Sequence, residues 1–203
     1  MTSKILRLPK IGRVGLIHEK SGNGTAIGKM AFDTNLSAVV LRNGKPLSAK
    51  ESMSFWARFW GNVDANSPVI DLGSGLVTHA GVRLLSQDTA ISAGAATLDV
   101  MKYHGSGTGT TAATATDTAL QTAIGTTATS GTNTNADASP NATVQAQATI
   151  AYGGTSAVTE WGLFNQATLS GATMWDHKVF SAINVASGDS IQFTYTLTIN
   201  SGG

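Results

Sequence analysis

The sequence predicts a mainly β protein: an antiparallel β-sandwich-like domain with one or two short helices and an extended N-terminal arm. Three observations lead there. The run Ser190–Asn200, "SIQFTYTLTIN", places Ile191, Phe193, Tyr195, Leu197 and Ile199 on one face and Gln192, Thr194, Thr196, Thr198 and Asn200 on the other, the period-2 pattern of a strand with one wet face. Turn signals at Gly153-Gly154, Ser170-Gly171 and Ser187-Gly188-Asp189 cut the last sixty residues into strand-length pieces. Only 12% of the 203 residues are charged, about half the usual share, which suits threonine-rich strands covered by neighbours.

Taken in order, residues 1–47 read as an extended basic arm. Ser37–Arg42 is a short β-like run within it, followed by the turn signal Asn43-Gly44. Residues 48–90 read as helical. Ser48 with Glu51 three residues later forms a capping box, and Phe55, Trp56, Phe59 and Trp60 follow at helical spacing until Gly61. A second helix is expected over Thr78–Gln87, with Val82 and Leu85 inward and Gly81 weakening it. Residues 91–203 read as the sandwich domain. A strand is expected from Leu98 to Tyr103, then a glycine-rich turn, then a Thr/Ala/Gly-rich insert at 105–141. That insert holds almost no large apolar residue besides Leu120 and Ile124, so its order requires strands or neighbouring chains to hold its backbone. The remaining strands are expected at Val144–Tyr152, Val158–Phe164, Thr173–Ala182 and Ser190–Asn200, with Trp161, Phe164, Phe193, Tyr195 and Leu197 in the core.

Charge divides the chain. Through Arg83 there are eleven Lys/Arg against five Asp/Glu; beyond it, two against seven. The cations of the arm, Arg7, Lys10 and Arg13 among them, alternate with Ile, Leu and Val, a pattern that fits contact with a protein surface better than with nucleic acid. With no cysteine, disulfides and thiolate metal sites are excluded. No apolar run has the length of a membrane span.

The search for chemistry finds little. "KYHGSGTGTTAATATDTAL", residues 102–120, has glycines as a phosphate loop does. It lacks Gly-Lys-Ser/Thr, and no lysine follows until position 178, so a nucleotide site is not expected. His18, His79, His104 and His177 lack metal-ligand spacing, and His177 beside Asp176 points to the opposite face of a strand. Glu160-Trp161 and Trp175-Asp176 pair an acid with an indole, as sugar subsites do, although two core tryptophans of neighbouring strands explain them better. No nucleophile–His–Asp order or Gly-x-Ser-x-Gly elbow is present. Neither an enzyme nor a cofactor is expected.

Four stretches occur together in order: "DLGSGLVTHAGVRLLSQD" (Asp71–Asp88), "KYHGSGTGTTAATATDTAL" (Lys102–Leu120), "VTEWGLFNQ" (Val158–Gln166) and "GDSIQFTYTLTIN" (Gly188–Asn200). Through them residues 70–203 resemble a family of tailed-bacteriophage virion structural proteins, of the head decoration (cement) or tail and collar fibre type. The resemblance implies no catalytic residue and a location in the virion. It leads to the expectation of a capsid decoration protein, a homotrimer that stabilises the head by binding neighbouring major capsid subunits. Phe55, Trp56, Phe59 and Trp60 would be its aromatic anchors, with Arg7, Lys10 and Arg13 making charge contacts. The alternative is a tail or collar fibre module contacting a host receptor or glycan through Glu160, Trp161, Trp175 and Asp176.

Overall fold

The computed structural model describes residues 14–15, 31–61, 63–90, 100–138 and 141–200. The expected arm contacts at Arg7, Lys10 and Arg13, the side chains of Trp56, Trp60 and Leu85, and the run 91–99 lie outside the described residues. The strands are β1 (Val14–Gly15), β2 (Ala31–Arg42), β3 (Lys45–Pro46), β4 (Val69–Gly73), β5 (Leu76–Val77), β6 (Tyr103–Gly107), β7 (Thr129–Ser130), β8 (Thr132–Ala138), β9 (Asn141–Ala151), β10 (Ser156–Phe164), β11 (Met174–Val185) and β12 (Ser190–Asn200). The helices are α1 (Ala49–Ser52), α2 (Phe55–Gly61) and α3 (His79–Ala90). Among the described residues seven strands form one sheet, ordered β1-β2-β12-β9-β8 with β3 and β4 also on β2. Five form the other, ordered β5-β11-β10-β6-β7. Every pairing is antiparallel, and the chain is a mainly β sandwich.

Alternation builds the core. β12 keeps its expected bounds, and Ile191, Phe193, Tyr195 and Leu197 are all buried. They meet Leu36 and Val40 of β2 and Val158, Trp161 and Leu163 of β10 in one apolar cluster. The Trp161 and Tyr195 rings stack at 5.5 Å between centroids. Phe164 is buried too, but with Met174 in a smaller cluster covered by Leu120 and Leu169. Full burial of such a side chain is worth roughly 1.5–3 kcal/mol, and all five expected core residues are buried. Among the described residues no helix is long and apolar enough to cross a membrane.

Several expectations change. The arm does not extend to residue 47: β2 runs from Ala31 to Arg42 and pairs with β12 along its whole length, from Ser190 opposite Leu41 to Asn200 opposite Ala31. Residues 31–47 are therefore sheet, and β2 closes on β3 through Asn43 (φ 52) and Gly44 (φ 74), the paired positive φ values of a type I′ hairpin. The single aromatic helix is two. Glu51 accepts the Ser48 amide at 2.9 Å as the capping box requires, but Met53 is extended (φ −127, ψ 147). The Ser54 hydroxyl then caps a new start by accepting the Ala57 amide at 3.2 Å.

The helix expected over 78–87 is α3. Thr78 is its cap, accepting the Gly81 amide at 3.0 Å. Gly81 is buried, and a Cβ there would stand 2.5 Å from the Trp175 carbonyl, so the glycine lets α3 lie on β11. Leu84, not Val82, points inward; Val82 is 41% exposed. The largest correction is at the glycines of 103–107, which form the buried strand β6 where a turn was expected. A turn signal is also a signal for close backbone approach, and here approach prevails.

Candidate functional site

β10 carries Glu160 on the face of the five-stranded sheet that points away from the sandwich core. The side chain is 0% exposed. Its Oε1 accepts the amides of Gly109 at 2.9 Å and Thr122 at 2.7 Å. Its Oε2 accepts the amide of Gln121 at 2.9 Å and faces His177 Nε2 at 3.2 Å. A buried carboxylate is tolerable when its lone pairs are all engaged by donors. Here they close the base of the loop 108–122, whose ends also pair directly through the Thr108 amide and Thr122 carbonyl at 2.8 Å. Thr159, the neighbour of Glu160, donates its hydroxyl to the Gly109 carbonyl at 2.7 Å.

His177 on β11 extends this into a line of three groups. Its Nδ1 lies 2.7 Å from Asp117 Oδ2, near the tip of the same loop. The ring therefore bridges two carboxyl groups, one on each nitrogen, with the donor and acceptor roles set by its tautomer. Burial works to raise the Asp117 carboxyl, but the Thr114 hydroxyl and amide, with His177, hold it below its usual range. The loop is thus pinned twice, at its base by Glu160 and at its tip by Asp117.

Glycine makes the approach possible. A Cβ at Gly107 would fall 2.3 Å from Glu160 Oε1 and 2.4 Å from the Thr122 carbonyl, and one at Gly109 would fall 2.6 Å from the same oxygen. The alternating glycines of "HGSGTG" leave room for a folded-back loop and a carboxylate, not for a phosphate. With Glu160 and His177 wholly buried and both engaged, the arrangement fastens backbone and offers no group to a substrate while the loop is closed.

The inner face of the same sheet carries a second polar line. The Trp161 indole donates to His104 Nδ1 at 3.1 Å, and the Trp175 indole donates to the Tyr195 hydroxyl at 2.8 Å. Burial pushes the His104 imidazole down to about 3, so the ring is neutral with its proton on Nε2, an atom with no hydrogen-bond partner. Tyr152 donates to Ser106 at 3.0 Å, and burial lifts its hydroxyl to about 12. Asp176 is wholly buried beneath Gly75, where a Cβ would stand 2.0 Å from its Oδ1. Lys178 donates to the Ser74 carbonyl at 2.6 Å. An open groove of about 340 Å³ runs between this turn and the loop, lined by Ser74, Gly75, Thr110, Ala112, Lys178 and Val179 among others.

The four residues expected to touch a glycan present no surface: exposure is 0% for Glu160, Trp161 and Asp176 and 3% for Trp175. The two tryptophans are core residues, and burial closes their faces to a sugar. The expected anchors Phe55 and Phe59 are outside instead, 63% and 62% exposed, with ring centroids 6.2 Å apart in a stacked pair. With Arg58, Val63, Asp64 and Ala65 they line a second groove of about 490 Å³.

Sequence reasoning did not find the Asp117–His177–Glu160 line. Sixty residues separate Asp117 from His177, and no spacing rule joins them. The local signal that was present is Thr114 three residues before Asp117, the spacing at which a hydroxyl and a carboxylate bond each other, as they do here. Among the described residues no group of three or more His, Cys, Asp or Glu is arranged to hold a metal ion. Comparison of the chain with family models, with curated proteins and with solved structures finds no match.

Proposed function

We propose that this chain is a structural part of a tailed-bacteriophage particle, a trimeric capsid decoration protein that binds neighbouring capsid subunits and stabilises the head. The observation that carries the reading is the Phe55–Phe59 pair, two large rings stacked on a surface helix at over 60% exposure. Exposed aromatic clusters of that kind mark docking sites, where buried rings supply most of the binding energy. The uncharged strip that β9 and β12 present on the outer face of the larger sheet adds to it. There Gln147 donates to Thr194 at 2.9 Å and Gln145 to Thr196 at 3.2 Å, a flat polar surface that a neighbour can cover without desolvating charge.

On this reading the buried acid–imidazole–acid line is a fastener, and the chain works by binding, without catalysis or a cofactor. The fibre-module reading would be favoured by Trp161 or Trp175 in an open groove, and both are buried instead. The test is cosedimentation of the purified protein with capsid shells lacking it, in parallel with a glycan array. Saturable binding to shells with a flat array is the expected result; glycan binding without shell binding overturns the proposal.

A further inference from the structure

Asp176 differs from the other buried acids among the described residues, Glu160 and Asp189. Asp189 has Arg42, and Glu160 has three amides and an imidazole, yet neither Asp176 oxygen has a hydrogen-bond partner. The carboxyl is wholly buried, with the backbone of Gly75 closed over it. Such a group is stable only while neutral, since an uncompensated charge in the interior is costly. β10 sets the apolar Leu163 opposite it, and the polar groups that act on it come from other elements. β12 contributes the Tyr195 hydroxyl, which accepts the Trp175 indole and keeps its own O–H to offer the carboxyl. β5 contributes the Leu76 amide, and β11 itself the His177 amide and Lys178. Lys178 is held away by the Ser74 carbonyl and is acted on by Asp71 of β4 as well.

We propose that Asp176 is a pH-sensitive latch on the turn 73–75: neutral, it lets the turn close over it; ionised, it drives the turn open to water and to Lys178. Burial pushes this carboxyl up to about 7, against partial offsets from Tyr195, the two amides and Lys178, so the change falls near neutrality. Ionisation offers Lys178 a carboxylate in place of the Ser74 carbonyl, and Gly73, at φ +73, is a ready hinge. Opening would widen the groove that Ser74 and Gly75 line. This device is independent of the decoration reading.

The test is hydrogen exchange across 73–77 from pH 5 to 9, corrected for the intrinsic pH dependence, in the wild-type protein and Asp176→Asn, with the carboxyl carbon of Asp176 followed by NMR in the wild type. The expected result is an Asp176 midpoint near 7, with protection of the turn falling about tenfold or more across it and staying level in Asp176→Asn. A midpoint below about 5, protection that stays flat across a midpoint near 7, or an equal fall in the variant each overturns the proposal. Should Asp176→Asn fail to fold, the wild-type titration and exchange decide alone.

Discussion

His177 Nδ1 stands 2.7 Å from Asp117 Oδ2 and joins the buried strand β11 to a loop sixty residues away. Its other nitrogen meets Glu160, so one ring ties two carboxylates from different parts of the chain. Residues coupled this way are not additive. A double-mutant cycle of Asp117→Asn and His177→Gln, read by urea unfolding, is expected to give a coupling of about 1–3 kcal/mol. Additive losses would mean that the contact holds nothing.

Glu160→Gln tests the base of the loop. Glu160 accepts three amides and faces an imidazole nitrogen; an amide side chain has one oxygen and would turn an NH2 group toward donors. A loss of roughly 3–5 kcal/mol in unfolding free energy is expected, as for other buried charges deprived of their pairing. Chemical denaturation measures it, and a loss under about 1 kcal/mol would contradict the bonding described.

Gly81→Ala sets helix propensity against close packing. Alanine is favoured in a helix interior by about 1 kcal/mol, yet its Cβ would meet the Trp175 carbonyl at 2.5 Å. Net destabilisation of about 1–3 kcal/mol is expected, while Gly153→Ala, where nothing lies within 4 Å, should stay within about 0.5 kcal/mol. Thermal melting of the two variants side by side decides which effect prevails.

Acid sensitivity should trace to Asp189. Arg42 donates to it twice, at 2.8 and 2.7 Å, and that contact holds the carboxyl down at about 2. A carboxyl depressed on folding adds stability that is present above its unfolded value, near 4, and is lost as pH falls toward 2. Melting temperatures between pH 5 and 2 should therefore fall less steeply in Asp189→Asn than in the wild type, although the variant starts lower. Parallel curves would assign the acid limb to other groups.

Phe55→Ser with Phe59→Ser separates binding from folding. Both rings are mostly exposed, so the melting temperature should change by no more than a few degrees. Affinity for capsid shells should fall at least about tenfold, the cost of losing 1.4 kcal/mol at an anchor. A large drop in stability with unchanged binding would relocate the interface.

The sequence read best where local patterning governs. β12 alternates for eleven residues and was found to the residue, and Asn43-Gly44 specified its turn type because few residue pairs accept two positive φ values. It read worst where glycine serves tertiary packing. The glycines of β6 suggest a turn until Glu160 and the loop 108–122 are seen against them. Asp117 and Asp176 carried too little local context to tell a pinned loop from a surface: Asp117 has Thr114 nearby in the chain, but its link to His177 crosses to another element, and the groups around Asp176 include Tyr195 and Leu76 from two other strands. The helix break at Met53 was hidden for a similar reason: Ser54 is as good a cap as Ser48, and spacing alone cannot tell one helix from two.

On the proposed reading the chain is part of a phage particle, and a cryo-EM reconstruction of that particle tests the reading most directly. The account predicts density on the head shaped as a two-sheet sandwich, in threefold groups, with Phe55 and Phe59 of α2 buried against a neighbouring subunit. Heads without such density, or with density in which those two rings face solvent, would contradict it.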